Sequence, residues 1–282
     1  MIRAHDEGAG KAGQPFNPRE MLQRMERLLS QTRSTRQKQA DESQQSVYDA
    51  WEAATDEREH ELMCQALELN PGNADALLYM LDRSGLNEEE EIQALRNIVA
   101  AAAKSLGPKV FKEYAGHFWG FIETRPYMRA RHRLAGALRA AGRLEEAITE
   151  CEAILALNPN DNQGVRYELL PAYLGLNRLQ PARALLKKYG EARFSTVFGW
   201  CLVLERLLSD DPAAARQALA VARKQNPHMQ VYIKGHRDLP RQMPDSYAMG
   251  SKEEAICFAE VLRSAWARHP QALQWLAEQK IK

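Results

Sequence analysis

One tetrapeptide has the residue types of a catalytic motif. His236, Arg237, Asp238 and Leu239 imitate the catalytic loop of a protein kinase, in which an asparagine four residues after the leucine binds a metal ion. Here that position is Met243, and no glycine-rich strand pair precedes the motif. The GAGKAG run near the N-terminus lacks the GxxxxGK(S/T) spacing of a phosphate-binding loop. Neither motif therefore predicts catalysis.

The histidines and cysteines give no indication of a reactive or metal-binding site. The seven histidines are dispersed, and no two have the spacing that places metal ligands on one face of a helix. The cysteines form no CxxC pair, and we interpret them as structural thiols in a reducing compartment: Cys64, Cys151, Cys201 and Cys257. We therefore predict that the protein is not an enzyme and binds no metal or cofactor.

The central part of the chain offers a candidate binding surface. A guanidinium group binds carboxylates in bidentate geometry, so clustered arginines suit an acidic or carboxylate-terminated segment of another protein. Alternatively, these arginines are solvated or paired with Glu123 and Glu168. The residues predicted to line this groove are Arg125, Arg129, His132, Arg139, Arg166 and Tyr167.

A second candidate surface is apolar. Val197, Trp200 and Leu204 recur at helical spacing and would share one face of a helix. A fully exposed patch of this kind would promote aggregation. We therefore expect it to be covered, either by an amphipathic helix of a partner or by residues 228–250 of the same chain.

The elements that position these residues are best defined over residues 127–161. Leu134, Ala135 and Leu138 recur at helical spacing in the first half of this stretch, and a second apolar series starts at Ala147. Between them Gly142 can adopt the left-handed conformation that ends a helix, and the stretch closes at a proline. The pattern predicts two short antiparallel helices.

The same positions resemble the tetratricopeptide repeat, a helix-turn-helix unit of about 34 residues that buries its apolar faces by stacking on neighbours. The matching residues are Ala135, Gly142, Ala147, Cys151, Leu157 and Pro159, while Arg131 stands where the repeat usually has tryptophan. Similar copies are predicted at 163–195 and 196–229, with capping helices at 251–280. This resemblance implies an all-α fold: an α-solenoid of stacked antiparallel helix pairs, wound as a right-handed superhelix.

Longer segments resemble one particular family of helical-repeat proteins. They include GHFWGFIETRPYMRAR at 116–131, NPHMQVYIKG at 226–235 and GSKEEAICFAEVLRSAW at 250–266. In this order they look like the suppressor-of-tumorigenicity-seven family, especially its compact, soluble relatives, over residues 47–276. The resemblance implies a helical-repeat protein without an established enzymatic activity. It supplies no catalytic residues.

Composition and charge favour a soluble protein. The formal net charge is +1, so no global field attracts nucleic acid or an anionic membrane, and we do not expect nucleic acid as a partner. The sequence has no apolar run near the roughly 18 residues of a membrane span and no signal-peptide pattern, so we expect a cytoplasmic location. Two regions are predicted: a flexible segment at 1–40 with one amphipathic helix, and a repeat domain at 41–282.

Together these features predict a non-catalytic scaffold or adaptor that binds a peptide or helix in a concave groove. If so, replacing Arg129 and Arg139 together with glutamate should abolish binding without unfolding the chain. One alternative is a regulator that responds to nucleic acid or a small molecule through the basic N-terminal helix, which carries Arg24 and Arg27. Another is a self-assembling structural protein. The sequence leaves the oligomeric state undefined.

Overall fold

A computed structural model describes residues 35–279 of the chain. This part is all-α, as predicted, with thirteen α-helices, three short 3-10 helices and no strand. The helices are α1 (Thr35–Trp51), α2 (Asp56–Leu69), α3 (Ala74–Asp82), α4 (Glu88–Tyr114), α5 (Arg125–Ala140), α6 (Leu144–Leu157), α7 (Arg166–Gly175), α8 (Leu179–Tyr189), α9 (Thr196–Leu208), α10 (Pro212–Gln225), α11 (Met229–Ile233), α12 (Lys252–Ala267) and α13 (Pro270–Glu278). The helix predicted within residues 1–34 lies outside the described residues.

Local sequence signals set the ends of these helices. Asn87 starts α4 with a capping box, in which its side chain accepts from the backbone of Glu90 and the Glu90 side chain accepts from the backbone of Asn87. Gly142 has a φ of 74°, so it provides the left-handed residue that separates α5 from α6. Within α4, Gly107 leaves the helical conformation directly before Pro108, and the helix breaks there.

The helices pack as consecutive pairs. Helices α1 and α2, α3 and α4, α5 and α6, α7 and α8, and α9 and α10 each pack on one another. Neighbouring pairs join where α4 packs on α5 and α6 packs on α7. The first helices also meet directly, α3 on α5 and α7 on α9. This is the stacking of a helical-repeat protein, in which each pair buries its apolar face against its neighbours.

The apolar core is divided into two clusters. The larger runs from Ala74 to Leu276 and includes buried apolar side chains from α3 to α13. A smaller cluster joins α1, α2 and α3 through residues such as Val47, Met63 and Tyr79. Because α1 begins at Thr35, one helix crosses the boundary predicted after residue 40. The first helix pair therefore packs on α3 through its own small core.

Helix α12 covers the apolar surface predicted for a partner. It packs on α7 and α9, and the ring centroids of Trp200 and Trp266 lie 6.3 Å apart in an edge-on arrangement. Val197 and Leu204 are buried as well, so the three predicted residues belong to the core. The other expected cover, residues 228–250, contributes only α11, which packs on α12, while residues 235–249 are exposed or half-buried. The surface is therefore filled by α12 of the same chain.

Candidate functional site

A cleft with a volume of about 700 Å³ lies along α5. We call it the α5 cleft. Small residues of α5 form part of its lining: Gly136, Ala137 and Ala140. One wall comes from the start of α4 and the opposite wall from Gln163 and the first turn of α7. Its charged lining residues are Glu88, Glu91, Glu168, Arg129, Arg133 and Arg139, together with His132.

Arg129 has a structural partner of opposite charge. Its Nε lies 2.8 Å from Asp75 Oδ1 and its Nη2 lies 2.5 Å from Asp75 Oδ2, a bidentate pair. The Asp75 side chain is only 4% exposed, and it also accepts from the side-chain amide of Gln44. Arg129 therefore ties α5 to α3 and, through Asp75, to α1. This polar contact joins the first helix pair to the centre of the fold.

His132 and Arg139 share the carboxylate of Glu168. His132 Nε2 lies 2.8 Å from Glu168 Oε1, and Arg139 Nε lies 3.6 Å from Glu168 Oε2. Arg139 also donates from Nη1 to Glu260 Oε1 at 3.2 Å. Burial alone would raise the pKa of the Glu168 carboxyl, but His132 and Arg139 hold that pKa below its ordinary value. The three residues link α5 to α7 and α12.

This lowered pKa predicts a pH dependence of stability. Because the unfolded chain binds a proton at Glu168 more readily than the folded chain, the stabilisation is present above the unfolded pKa of about 4.3 and is lost as pH falls through the folded pKa. We expect Glu168→Gln to make the unfolding free energy less dependent on pH below about pH 4.3. Urea titrations across this range would measure the difference. The control is Glu278→Gln, at an exposed position on α13, whose profile should match that of the wild type.

Arg166 and Tyr167 line a second, adjoining cleft of about 390 Å³, which shares Gln163 and Glu168 with the α5 cleft. The guanidinium of Arg166 lies 2.8 Å from Asp161 Oδ2 and 3.0 Å from Glu191 Oε1. The Tyr167 hydroxyl accepts from Arg166 Nη2 and donates to Glu191. Burial, together with the Glu191 carboxylate, raises the pKa of Tyr167 to about 12. These groups are therefore already satisfied by contacts within the chain.

Arg125, the remaining predicted groove residue, lines neither cleft. Its Nε donates to the backbone oxygen of Trp119 at 3.0 Å, and its guanidinium lies over the Trp119 ring. Arg129, His132 and Arg139 thus lie together in the α5 cleft, Arg166 and Tyr167 lie in the adjoining one, and Arg125 lies apart. For Arg129, Arg139 and Arg166, the alternative in which the arginines are paired with acids of the chain describes the structure better than an open basic groove. Of the two proposed partners, Glu168 makes such a pair.

The sequence analysis did not identify the acidic residues that balance the positive charge of the arginines in the α5 cleft. Asp75 lies in the first turn of α3 and the run from Glu88 to Glu91 in the first turn of α4, where acids are favoured by the helix dipole, so their sequence positions do not indicate a cleft. In the structure Glu88 and Glu91 form a cleft wall, and Arg133 contacts both Asp82 and Glu91. The lining of the α5 cleft thus contains three arginines and three glutamates. A surplus of acids in the preceding helices was the available signal.

No chemistry beyond binding is indicated by the side chains described. Among residues 35–279 there is no group of three or more His, Cys, Asp and Glu side chains placed to hold a metal ion. All four cysteines are free, and burial raises the pKa of the Cys151 and Cys201 thiols, which makes them poor nucleophiles. Of the helices in the described part, none is long and apolar enough to cross a bilayer.

Comparison with known protein families finds a match for one segment of the chain. A tetratricopeptide repeat family model matches residues 138–195, which contain the last turn of α5 and all of α6, α7 and α8. No curated protein matches the chain, so the narrower resemblance to the suppressor-of-tumorigenicity-seven family stays a prediction. Repeats of this type stack into extended surfaces that generally bind other proteins. The chain is an all-α helical-repeat protein that contains a tetratricopeptide-type repeat at residues 138–195.

Proposed function

We propose that the protein is a non-catalytic interaction module, a scaffold or adaptor, that holds an extended segment of another protein in the α5 cleft. The observation that carries the proposal is the cleft itself, about 700 Å³ on the first helix of a repeat pair. Its volume is within the range of about 300–1,000 Å³ that is typical of ligand-binding clefts. Small side chains at Gly136, Ala137 and Ala140 would let the backbone of a segment approach α5 closely.

The packing of α12 supports this choice of surface. An amphipathic partner helix would need the apolar surface of α9, and α12 already fills that surface. An acidic segment, as the sequence suggested, would compete with Asp75 and Glu168 for Arg129 and Arg139. Of the two surfaces predicted from the sequence, the arginine-bearing one therefore keeps an open cleft, the α5 cleft. The resemblance to the suppressor-of-tumorigenicity-seven family fits the same proposal, since it implies a soluble repeat protein without an established enzymatic activity, and we propose a cytoplasmic location for it.

A substitution at Gly136 tests the proposal without disturbing the fold. A Cβ added at Gly136 would meet no atom within 4 Å, so a larger side chain there would project into open space. Glycine in a helix costs about 0.8–1 kcal/mol relative to good helix formers, so Gly136→Leu should be at least as stable as the wild type. We expect it to lose binding by more than about tenfold, equivalent to 1.4 kcal/mol. The probes are peptides selected on the full chain from a random phage-displayed library.

The matched control is Ala100→Leu, at an exposed position on α4 that is not part of the cleft lining. It adds the same side chain to a helix and should bind the selected peptides as the wild type does. Fluorescence polarisation with the labelled peptides gives both affinities, and a urea titration gives both stabilities. Unchanged binding by a folded Gly136→Leu chain would show that the segment binds elsewhere.

A further inference from the structure

Charge is distributed very unevenly along the described part of the chain. Residues 41–91, from α1 to the start of α4, contain fifteen aspartates and glutamates but only two arginines, a formal net charge of −13. The whole chain carries +1, so the rest of the sequence carries +14. A local charge of this size creates a potential of several kT at the surface and attracts opposite charge. The first two helix pairs therefore form an acidic end of the molecule.

Much of this acidic charge is exposed and lacks a partner of opposite charge. Glu42, Glu52, Glu57, Glu68 and Glu88 are exposed and make no ion pair within residues 35–279. The arginines of the α5 cleft differ, because each forms an ion pair with an acid of the chain. Among the carboxylates and guanidiniums that line the cleft, Glu88 is thus the one that makes no ion pair within the described residues.

An exposed tryptophan connects this acidic surface to the cleft. Trp51 is 54% exposed at the end of α1 and contacts Tyr48, with ring centroids 5.4 Å apart. The guanidinium carbon of Arg129, a lining residue of the cleft, lies 5.6 Å from the centroid of the Trp51 ring. The negative face of an indole ring attracts cations, and Arg129 already uses this attraction. Much of the ring stays open to a second cation.

Exposed acids lie on the same helix as this tryptophan and directly after it. With 3.6 residues per turn, Glu42 and Asp49 share one face of α1, and that face borders the one that carries Tyr48 and Trp51. Glu52 directly follows Trp51, the last residue of α1, and Glu88 begins α4 and lines the cleft wall. Exposed carboxylates without an ion pair thus lie next to Trp51, at Glu52, and in the cleft wall, at Glu88. Lysine and arginine side chains combine the charge and the cation–π contact that this arrangement recognises.

We propose that the segment bound by the α5 cleft is basic, with lysine or arginine side chains that contact Trp51, Glu52 and Glu88. The inference rests on the proposed function and names its partner chemistry, and it reverses the acidic partner suggested by the sequence. Positive charge on the partner would meet the unpaired acids of residues 41–91 without breaking the ion pairs of Arg129 or Arg139. Complementary charge of this kind raises association rates and selects partners.

The library-selected peptides give the first test. We expect them to contain more lysine and arginine than aspartate and glutamate, and their affinity should fall as ionic strength rises, because salt screens exposed charges. Reversing two acids, Glu52→Lys with Glu88→Lys, should weaken binding by about tenfold or more. Trp51→Ala should weaken it by about threefold to thirtyfold, the range of a cation–π contact.

The matched control reverses two exposed acids elsewhere, Asp238→Lys with Glu278→Lys, which changes the net charge equally and should leave affinity unchanged. Selected peptides rich in acids, or equal affinity for both reversed chains, would overturn the basic partner. If Gly136→Leu still abolished binding in that case, the cleft assignment would stand and only the partner chemistry would fail. A rise in affinity on Arg24→Glu with Arg27→Glu would instead identify the chain's own basic residues as the occupant, and would also overturn the proposal.

Discussion

Trp266→Ala is expected to lower the free energy of unfolding by about 3–5 kcal/mol. Trp266 is fully buried on α12, and its ring packs edge-on against that of Trp200, which is fully buried on α9. Truncation would remove the contact of this ring with Trp200 and leave a cavity that the helices fill only partly. Chemical denaturation followed by circular dichroism would measure the loss. Trp266→Phe, which keeps an aromatic ring, should lose less.

The control for this prediction is Phe194→Ala. Phe194 is 59% exposed, so its truncation should change stability by no more than about 0.5 kcal/mol. If Trp266→Ala behaved like this control, α12 would not be packed on α9 in solution. The apolar surface of Val197, Trp200 and Leu204 would then be open to a partner helix, as one interpretation of the sequence allowed.

The helix pairs could be predicted from the sequence because their signals are local. Leu134, Ala135 and Leu138 lie within five residues of each other. Gly142 adopts the left-handed conformation that ends α5, and this requirement depends only on the local turn. Each pair is one supersecondary unit, so periodicity and turn residues suffice to define it. The all-α repeat fold follows from stacking such units.

The placement of α12 could not be predicted in the same way. Its apolar residues fit either a cap at the end of the solenoid or a helix that fills the surface of α7 and α9, because both bury one face of an amphipathic helix. The sequence thus indicated that Trp200 must be covered without indicating which segment covers it. The contact between Trp200 and Trp266 joins distant parts of the chain and leaves no local pattern.

In the candidate site, too, local features could be predicted and distant contacts could not. Arg129 and His132 could be placed on one helix from their spacing, but the partner of Arg129 is 54 residues away and that of His132 is 36 residues away. A guanidinium that is free to bind a ligand and one that is held by Asp75 have the same sequence pattern. The charge left over after pairing could therefore be judged only from the structure, and it is negative rather than positive around the cleft.

Arg129→Glu is expected to destabilise the chain by about 3–5 kcal/mol, because it breaks an ion pair whose carboxylate is buried. Asp75 is 4% exposed, so it would lose its bidentate partner and face a second carboxylate instead. The first helix pair would be affected most, since Asp75 also holds Gln44 of α1. This result would contradict the sequence-based expectation that glutamate at Arg129 and Arg139 abolishes binding and leaves the fold intact. Loss of binding in that double variant would then report unfolding.

A double-mutant cycle separates the ion pair from other effects of the substitution. Asp75→Asn removes the buried charge, so adding it to Arg129→Glu should recover part of the lost stability, and the two changes should not be additive. Arg58→Glu serves as the control, because Arg58 and Glu61 form an exposed pair that should contribute no more than about 1 kcal/mol. Urea titrations of the four chains in the cycle supply the coupling energy. Additive losses would mean that Arg129 stabilises the fold through contacts other than Asp75, and Arg129 would again be a candidate for binding a partner directly.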